Sequence, residues 1–421
     1  CILWTEMKGL RVLTVLLLLA AGSAAVWANG ADFSNWWTGL QESFVDPNTG
    51  LTVFPSLLVP MGGSYEGMGT AYTALARDAG FIESNPSASS VLKNTELSFS
   101  HHNWIADSNL EGVVYTVRFN DLGIGVGGKF LSVPFTAYNE WGVSGAKSYI
   151  TETIATLNAS YNFFSGAKFY GLAAGANLKV AYRSIPAELA PNQSSFAFMT
   201  DLGLLTSFNF LKPFYARSKN FSLGLALKNL GIVTLADEQL PLTATAGIAY
   251  SPWRPMQLSC DFNLPLSLDP ANAPAEKWNV AIGSNVEVAK FLSIQAGVLL
   301  KPANPRISLG ASIDLGTIAL VPLGIVATYN LDLSGKAGPI DKFSVQARVN
   351  LGDRGRGALQ QKVEELFLLG VEEYANGNYA RAIVYWGQVL EIEPAHQTAA
   401  ENIRTAEDAL SLQGGKTGGN E

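Results

Sequence analysis

The sequence predicts an all-β transmembrane barrel of about fourteen antiparallel strands, preceded by an N-terminal hatch and followed by a small α-helical module. Three observations carry that prediction. Charged residues make up 15% of the 421, mean hydropathy is +0.16 and 41 residues are glycine, which leaves little charge for a water-facing surface. Beyond the N-terminal segment no stretch reaches about 18 uninterrupted apolar residues, so strands are the remaining way to span a membrane. The period-two segments mostly match or exceed the roughly 9–11 residues of a tilted membrane strand, whereas soluble strands average about five or six.

In chain order, Met7, Lys8 and Arg11 lead into the apolar run 12–21, and Val26-Trp27-Ala28 is a small-residue cleavage site. A signal peptide over 1–28 is expected, with Cys1 to Glu6 ahead of Met7 read as an over-extended start. The competing reading, a membrane anchor, needs an apolar core about twice as long. Cys260 then stands alone, so no internal disulfide is expected in the mature chain.

The hatch is expected over 29–94. Gly62, Gly63, Gly67, Gly69, Ala71, Ala74, Ala76 and Ala79 allow close backbone packing. A barrel of about fourteen strands is too wide for wall side chains to fill. Asn85-Pro86 suits the fixed turn by which the chain leaves the hatch for the wall, a periplasmic tether being the alternative.

The barrel is expected over 95–352. Its strands fall at 95–102, 111–119, 122–131, 151–163, 168–183, 195–210, 220–229, 241–250, 255–263, 277–288, 291–301, 306–315, 318–331 and 342–351. The alternation is clearest in the last, where Phe343, Val345, Ala347, Val349 and Leu351 share one face and Ser344, Gln346, Arg348 and Asn350 the other. Short turns such as Asn120-Asp121 alternate with longer loops such as 132–150 and 230–240, with 211–219 and 302–305 as exceptions. Short periplasmic turns and longer external loops are the habit of outer-membrane barrels, which places both chain ends in the periplasm. A soluble β-sandwich, the alternative, accounts for neither the strand lengths nor the loop asymmetry.

A charged glycine linker is expected over 353–361, helices over 362–412 and a disordered glycine-rich tail over 413–421. Leu366, Leu369, Gly370, Tyr379, Ala382, Trp386 and Pro394 resemble the packing positions of one tetratricopeptide repeat, with Tyr374 one place after the usual aromatic position. One repeat does not bury its own faces, so Tyr374, Tyr379 and Trp386 are read as docking positions for a periplasmic protein. The alternative is a solubilising helical tail.

With the barrel in place, the segment from Gly67 and Gly69 through Asp78 to Asn85-Pro86-Ser87 resembles the N-terminal signature of the FadL-type outer-membrane transporters. The similarity is nearest to the uncharacterised spirochaete branch of that family. Ser87 stands where the family has Ala. The resemblance implies a hatch-plugged barrel that takes long-chain fatty acids or other hydrophobic small molecules across the outer membrane.

Candidate substrate contacts are the apolar loop residues Pro134, Phe135, Tyr138 and Trp141, and Leu230, Ile232, Val233, Leu235 and Leu240. Their competing role is the aromatic girdle at the lipid interface. A fatty-acid carboxylate needs a cation, for which Arg118, Lys129, Lys179, Arg183 and Arg348 are wall candidates. Two other functions stay open: a secretion or assembly component acting as a cargo shuttle, and a structural barrel with adhesive external loops.

Catalytic chemistry has little support. His101 and His102 are sequence neighbours that face opposite sides of a strand, a poor metal pair. Gly123 to Gly128 is glycine-rich but opens no helix, and no nucleophile elbow or phosphate loop occurs. No cofactor or metal is expected. A net charge of −7 without basic clusters excludes nucleic acid as a partner, leaving membrane lipid and hydrophobic small molecules.

Overall fold

The computed structural model describes residues 53–105, 107–138, 141–165, 170–212, 219–235, 238–268, 276–301, 305–319, 321–334, 338–394 and 396–417. The expected signal peptide, the first part of the hatch (29–52) and the last four residues lie outside these.

Fourteen strands form one closed antiparallel barrel in which each strand pairs with its sequence neighbours and β1 closes on β14. They are β1 Glu96–Asn103, β2 Asn109–Phe119, β3 Leu122–Tyr138, β4 Ser144–Ser165, β5 Tyr170–Ser184, β6 Ser195–Phe208 and β7 Phe221–Val233. The second half comprises β8 Thr243–Tyr250, β9 Met256–Pro265, β10 Asn279–Ala289, β11 Leu292–Leu300, β12 Arg306–Asp314, β13 Leu323–Ser334 and β14 Gly338–Asn350. Closure gives every strand a hydrogen-bonded neighbour on both sides in the body of the wall.

Period-two patterning decides which side chains enter the barrel. In β6, Ala197, Met199, Asp201 and Leu205 are buried while Phe196, Phe198, Leu202 and Leu204 are exposed on the outside. In β14, Lys342, Ser344 and Gln346 point inward and Phe343 outward, as the sequence pattern requires. A polar interior under an apolar exterior is the inverse of a soluble protein and suits hydrocarbon on the outside. Among the described residues no helix is long and apolar enough to cross a membrane.

Both ends of the sheet, Glu96 and Asn350, lie on one rim, here the terminal rim. Its β2–β3 and β10–β11 turns are two residues each, while β6–β7 on the same rim is joined over 209–220; in the first, Asn120 adopts a left-handed φ of 52°, which Asn tolerates better than most residues. On the opposite rim the β5–β6, β7–β8 and β9–β10 connections run over 185–194, 234–242 and 266–278, while the remaining ones are of three to five residues.

Several expected boundaries are corrected. The span 132–150 is largely strand: β3 and β4 stay paired from Val133↔Ile150 to Tyr138↔Ser144, so their hairpin extends past its neighbours. Ladder hydrogen bonds continue there because Pro134 is the single residue of that part of β3 without an N–H. Strand β7 likewise runs on to Val233. Strand β13 starts at Leu323 rather than 318, because a short helix α3 (Leu315–Ala319) intervenes, its first turn held by Asp314 Oδ1 accepting the Gly316 N–H at 2.9 Å.

The linker is shorter than expected, because helix α4 (Arg356–Ala375) begins where Asp353 accepts the N–H groups of Gly355 and Gly357. It is followed by α5 (Tyr379–Ile392) and α6 (Gln397–Thr417), so part of the expected disordered tail is helical. Gly377, at φ 80°, makes the turn between α4 and α5, a conformation that glycine adopts without strain. These helices share a core of Val363, Leu366, Ala382, Trp386, Val389, Ala399 and Ala406.

Candidate functional site

Residues 53–92 pass through the barrel interior as an inner segment with two short helices, α1 (Gly63–Gly67) and α2 (Phe81–Ser84), and a 3-10 turn Pro86–Val91. Phe54, Met68, Ala71, Tyr72, Phe81, Asn85 and Ser87 are all fully buried. The wall accommodates them with glycine. A Cβ on Gly123, Gly175, Gly203, Gly224, Gly283 or Gly297 would overlap Ser89, Pro86, Asn85, Thr73, Met68 or Gly69 respectively. The inner segment reciprocates at Gly69, whose φ is +63° and whose Cβ would stand 2.7 Å from the Val298 nitrogen.

Buried polar groups fix the segment in register. Asn85 donates to Thr73 O at 2.8 Å and to Leu204 O of the wall at 2.9 Å, while its Oδ1 accepts the Ser87 N–H at 3.1 Å and hydroxyl at 2.6 Å. Asn85 is extended at φ −153° and caps the 3-10 turn that Pro86 opens. Ser87 therefore completes the amide's hydrogen bonding. Asp78 accepts from Gly80 N at 3.0 Å and pairs with Arg348 Nη1 at 3.1 Å. Glu66 accepts from Asn330 at 2.6 Å and from Ser344 at 2.5 Å, with His102 Nε2 at 3.5 Å. Asp261 receives the backbone N–H groups of both Tyr72 and Thr73 at 2.8 Å. Buried carboxylates are stable only when partnered in this way.

Sequence reasoning missed Glu66, Asp261, Asn330, Asn158 and Asn177. The wall members of that set sit at inward positions of the period-two pattern, which is the signal that marks them. Arg348, a candidate substrate cation, is held by Asp78 and by Ser312 at 3.1 Å, so its guanidinium anchors the inner segment.

Toward the opposite rim, Val53 and Phe54 pack with Ile154, Ala181, Ala197 and Met199, and Val233 and Leu240 lie against this cluster. Arg183 stands 5.6 Å from the Phe54 ring centroid and pairs with Glu238. The other expected contacts are not gathered here. Ile232 is 71% exposed and Trp141 86% exposed, Pro134, Phe135 and Leu235 are half-buried, and the Tyr138 side chain lies outside the described residues. In the helical module Trp386 is 2% exposed and donates to Phe367 O at 3.2 Å. Tyr374 and Tyr379 pack in the same core, so all three join helices to one another rather than face outward.

Between the apolar cluster and the lower inner segment lies a cavity of about 140 Å³, lined by Pro60, Met61 and Tyr65 of the segment and by polar wall residues including Asn229, Asn263 and Asn279. Lys129, Lys179, Lys228, Lys301, Arg306, Glu83 and Glu276 supply its charge. Lys129 pairs with Glu83 at 2.6 Å, Lys179 with Asp201 at 2.6 Å, Lys301 with Glu276 at 2.7 Å and Arg306 with Asp332 at 2.6 Å. Lys228 lines the same cavity, where the charges of Asp261, Asp201 and Glu83 act on it. The charged groups of the cavity are thus largely paired, and apolar side chains including Leu57, Val59, Ile82, Ile154 and Leu299 share its lining.

Among solved structures, the toluene transporter TbuX of Ralstonia pickettii is 12% identical with a TM-score of 0.46, covering 69% of this chain and 98% of that one. The monoaromatic hydrocarbon channel CymD is 14% identical with a TM-score of 0.47, covering 69% and 97%. The barrel described above rests on its own strand pairing and not on these likenesses. A UPF0164 protein of Treponema pallidum (strain Nichols) is 29% identical over 372 residues, spanning 85% of this chain and 84% of the relative. A second from the same organism is 22% identical over 377 residues, spanning 85% and 75%. The model of the uncharacterised protein family UPF0164 matches residues 40–353, and the chain belongs to that family.

Proposed function

We propose that the chain is an outer-membrane barrel for passive uptake of small hydrophobic molecules, long-chain fatty acids among them, with the inner segment as its hatch. The observation that carries the proposal is the fit of that segment: it fills the barrel against wall glycines, so passage requires it to move. The apolar exterior supports the membrane setting, and the apolar cluster around Phe54 and Val233 near the opposite rim supports entry from that side. Both chain ends of the barrel then face the periplasm. The helical module is proposed to meet a periplasmic protein through exposed apolar residues such as Leu368 and Val384, since Tyr374, Tyr379 and Trp386 are internal.

The test is a reversible lock. Ser89 Oγ and Ser160 Oγ lie 2.6 Å apart across the hatch and wall, close enough for a disulfide after Ser89→Cys and Ser160→Cys in a Cys260→Ser background. Oxidised, the locked barrel in liposomes is expected to stop taking up labelled oleate, and reduction to restore uptake. Equal uptake in both states would remove the gating role; no uptake by the unlocked barrel would remove the transport reading. The projecting β3–β4 hairpin with its exposed Trp141 favours adhesion as the second reading.

A further inference from the structure

We infer that a proton held between His102 of β1 and Glu66 of α1 latches the inner segment to the barrel wall, and that the latch loosens as pH rises. As a statement about gating this rests on the uptake reading; the proton itself follows from hydrogen-bond geometry.

His102 and Glu66 are both buried. His102 Nδ1 lies 3.0 Å from the Pro60 carbonyl oxygen, which accepts and does not donate, so Nδ1 carries a hydrogen. A neutral imidazole has a single N–H, and its other nitrogen is then a lone pair. That nitrogen, Nε2, makes no hydrogen bond among the described residues and stands 3.5 Å from Glu66 Oε1. Glu66 is already an acceptor on both oxygens, Oε1 for the Asn330 amide at 2.6 Å and Oε2 for the Ser344 hydroxyl at 2.5 Å. A lone pair set against a carboxylate oxygen in the barrel interior is repulsive. A second ring proton turns the same contact into an imidazolium–carboxylate pair, and the ring then donates to two points of the inner segment, Pro60 and Glu66.

The charged groups around the pair are partnered elsewhere. On β14, Ser344 stands opposite His102, and Lys342 two residues before it pairs with Asp332 of β13. Arg306 of β12 pairs with the same Asp332 at 2.6 Å, and the charge of Glu66 acts on Lys342 as well as on Tyr65. Beyond Pro60, Glu83 accepts the Met61 N–H at 2.9 Å and pairs with Lys129 of β3 at 2.6 Å. Strand β2 sets the apolar Leu110 opposite His102. Among these groups the imidazole is the type that ordinarily exchanges its proton within about pH 5–8. The hold is therefore complete while the proton is present. As pH rises the proton passes to solvent, the ring keeps its Pro60 contact, and α1 loses its charged tie to β1.

The test uses the full chain refolded in detergent with isotope-labelled histidine, its ring nitrogens followed by NMR across about pH 5–9. His101→Asn and His396→Asn variants identify the other two rings. The His102 ring is expected to carry hydrogen on both nitrogens at the acid end and on Nδ1 alone at the alkaline end. Over the same range, hydrogen-exchange protection of the Met68, Gly69 and Thr70 amides, which bond to Ser64, Glu66 and Tyr65, should fall at least about tenfold, the scale of a hydrogen bond to a charged group. Glu66→Gln sets an amide donor against the neutral ring, so protection in that variant should not change with pH. Should Glu66→Gln fail to fold, the ring spectra and the wild-type exchange decide by themselves. Nε2 without hydrogen at every pH, wild-type protection that ignores pH, or the same alkaline loss in folded Glu66→Gln would overturn the inference. Uptake enters none of these measurements, so the latch and the uptake reading fail separately.

Discussion

Gly297 illustrates how single residues set the interior. Its backbone touches the inner segment so closely that a Cβ would overlap the Gly69 amide nitrogen and the Met68 carbonyl carbon, neither of which is a flexible side-chain end. Gly297→Ala is therefore expected to cost about 1–3 kcal/mol, read as a lowered urea midpoint of the refolded barrel. Gly128 serves as the control, since a Cβ there meets only Val113 Cγ1 at 3.4 Å. Gly128→Ala should stay within about 0.5 kcal/mol. The glycine count was visible in the sequence. Which glycines face the inner segment was not visible, because period two gives a face and not a partner across the barrel.

At the scale of one element, the start of helix α4 depends on Asp353. Hydrogen bonds from the Gly357 and Gly355 N–H groups hold its carboxyl below the usual carboxylate range. A depressed folded value means the cap is fully in place above the ordinary carboxylate pKa of about 3.9 and is lost only as pH falls through the lower folded value. Hydrogen exchange of the Gly355 and Gly357 amides in the full chain should stay slow at neutral pH and quicken in strong acid. Asp353→Ala should quicken it at every pH. Sequence reasoning placed this helix start six residues late because Gly355 and Gly357 read as linker; the signal it passed over was local, Asp353 two and four residues ahead of the N–H groups it accepts. Trp386 shows the reverse case. Its spacing was legible, but its Nε1 lies where a Cβ on Gly370 would fall, so its role is internal packing.

For the whole molecule, the outer surface decides whether the barrel folds into a bilayer. Leu225, outward on β7 and paired with Leu204 and Ala246, lies well inside the sheet. Leu225→Arg is expected to cost about 2–4 kcal/mol of folding free energy in lipid vesicles, the penalty for a cation near the bilayer midplane. A soluble protein would gain solvent-compatible charge from the same change. Unaltered folding yield into vesicles would argue against the lipid-facing assignment.

The sequence by itself determined a strand number of about fourteen, the antiparallel wall, which residues of a strand share a face and the place of a helical segment after the barrel. It could do so because those properties follow from local periodicity and from connection length. Only the tertiary structure decided that Asp261, Glu66 and Asn85 hold the inner segment and that Arg348 belongs to that anchorage. These pairings join residues more than a hundred positions apart, and barrel closure, not local patterning, sets which of them meet.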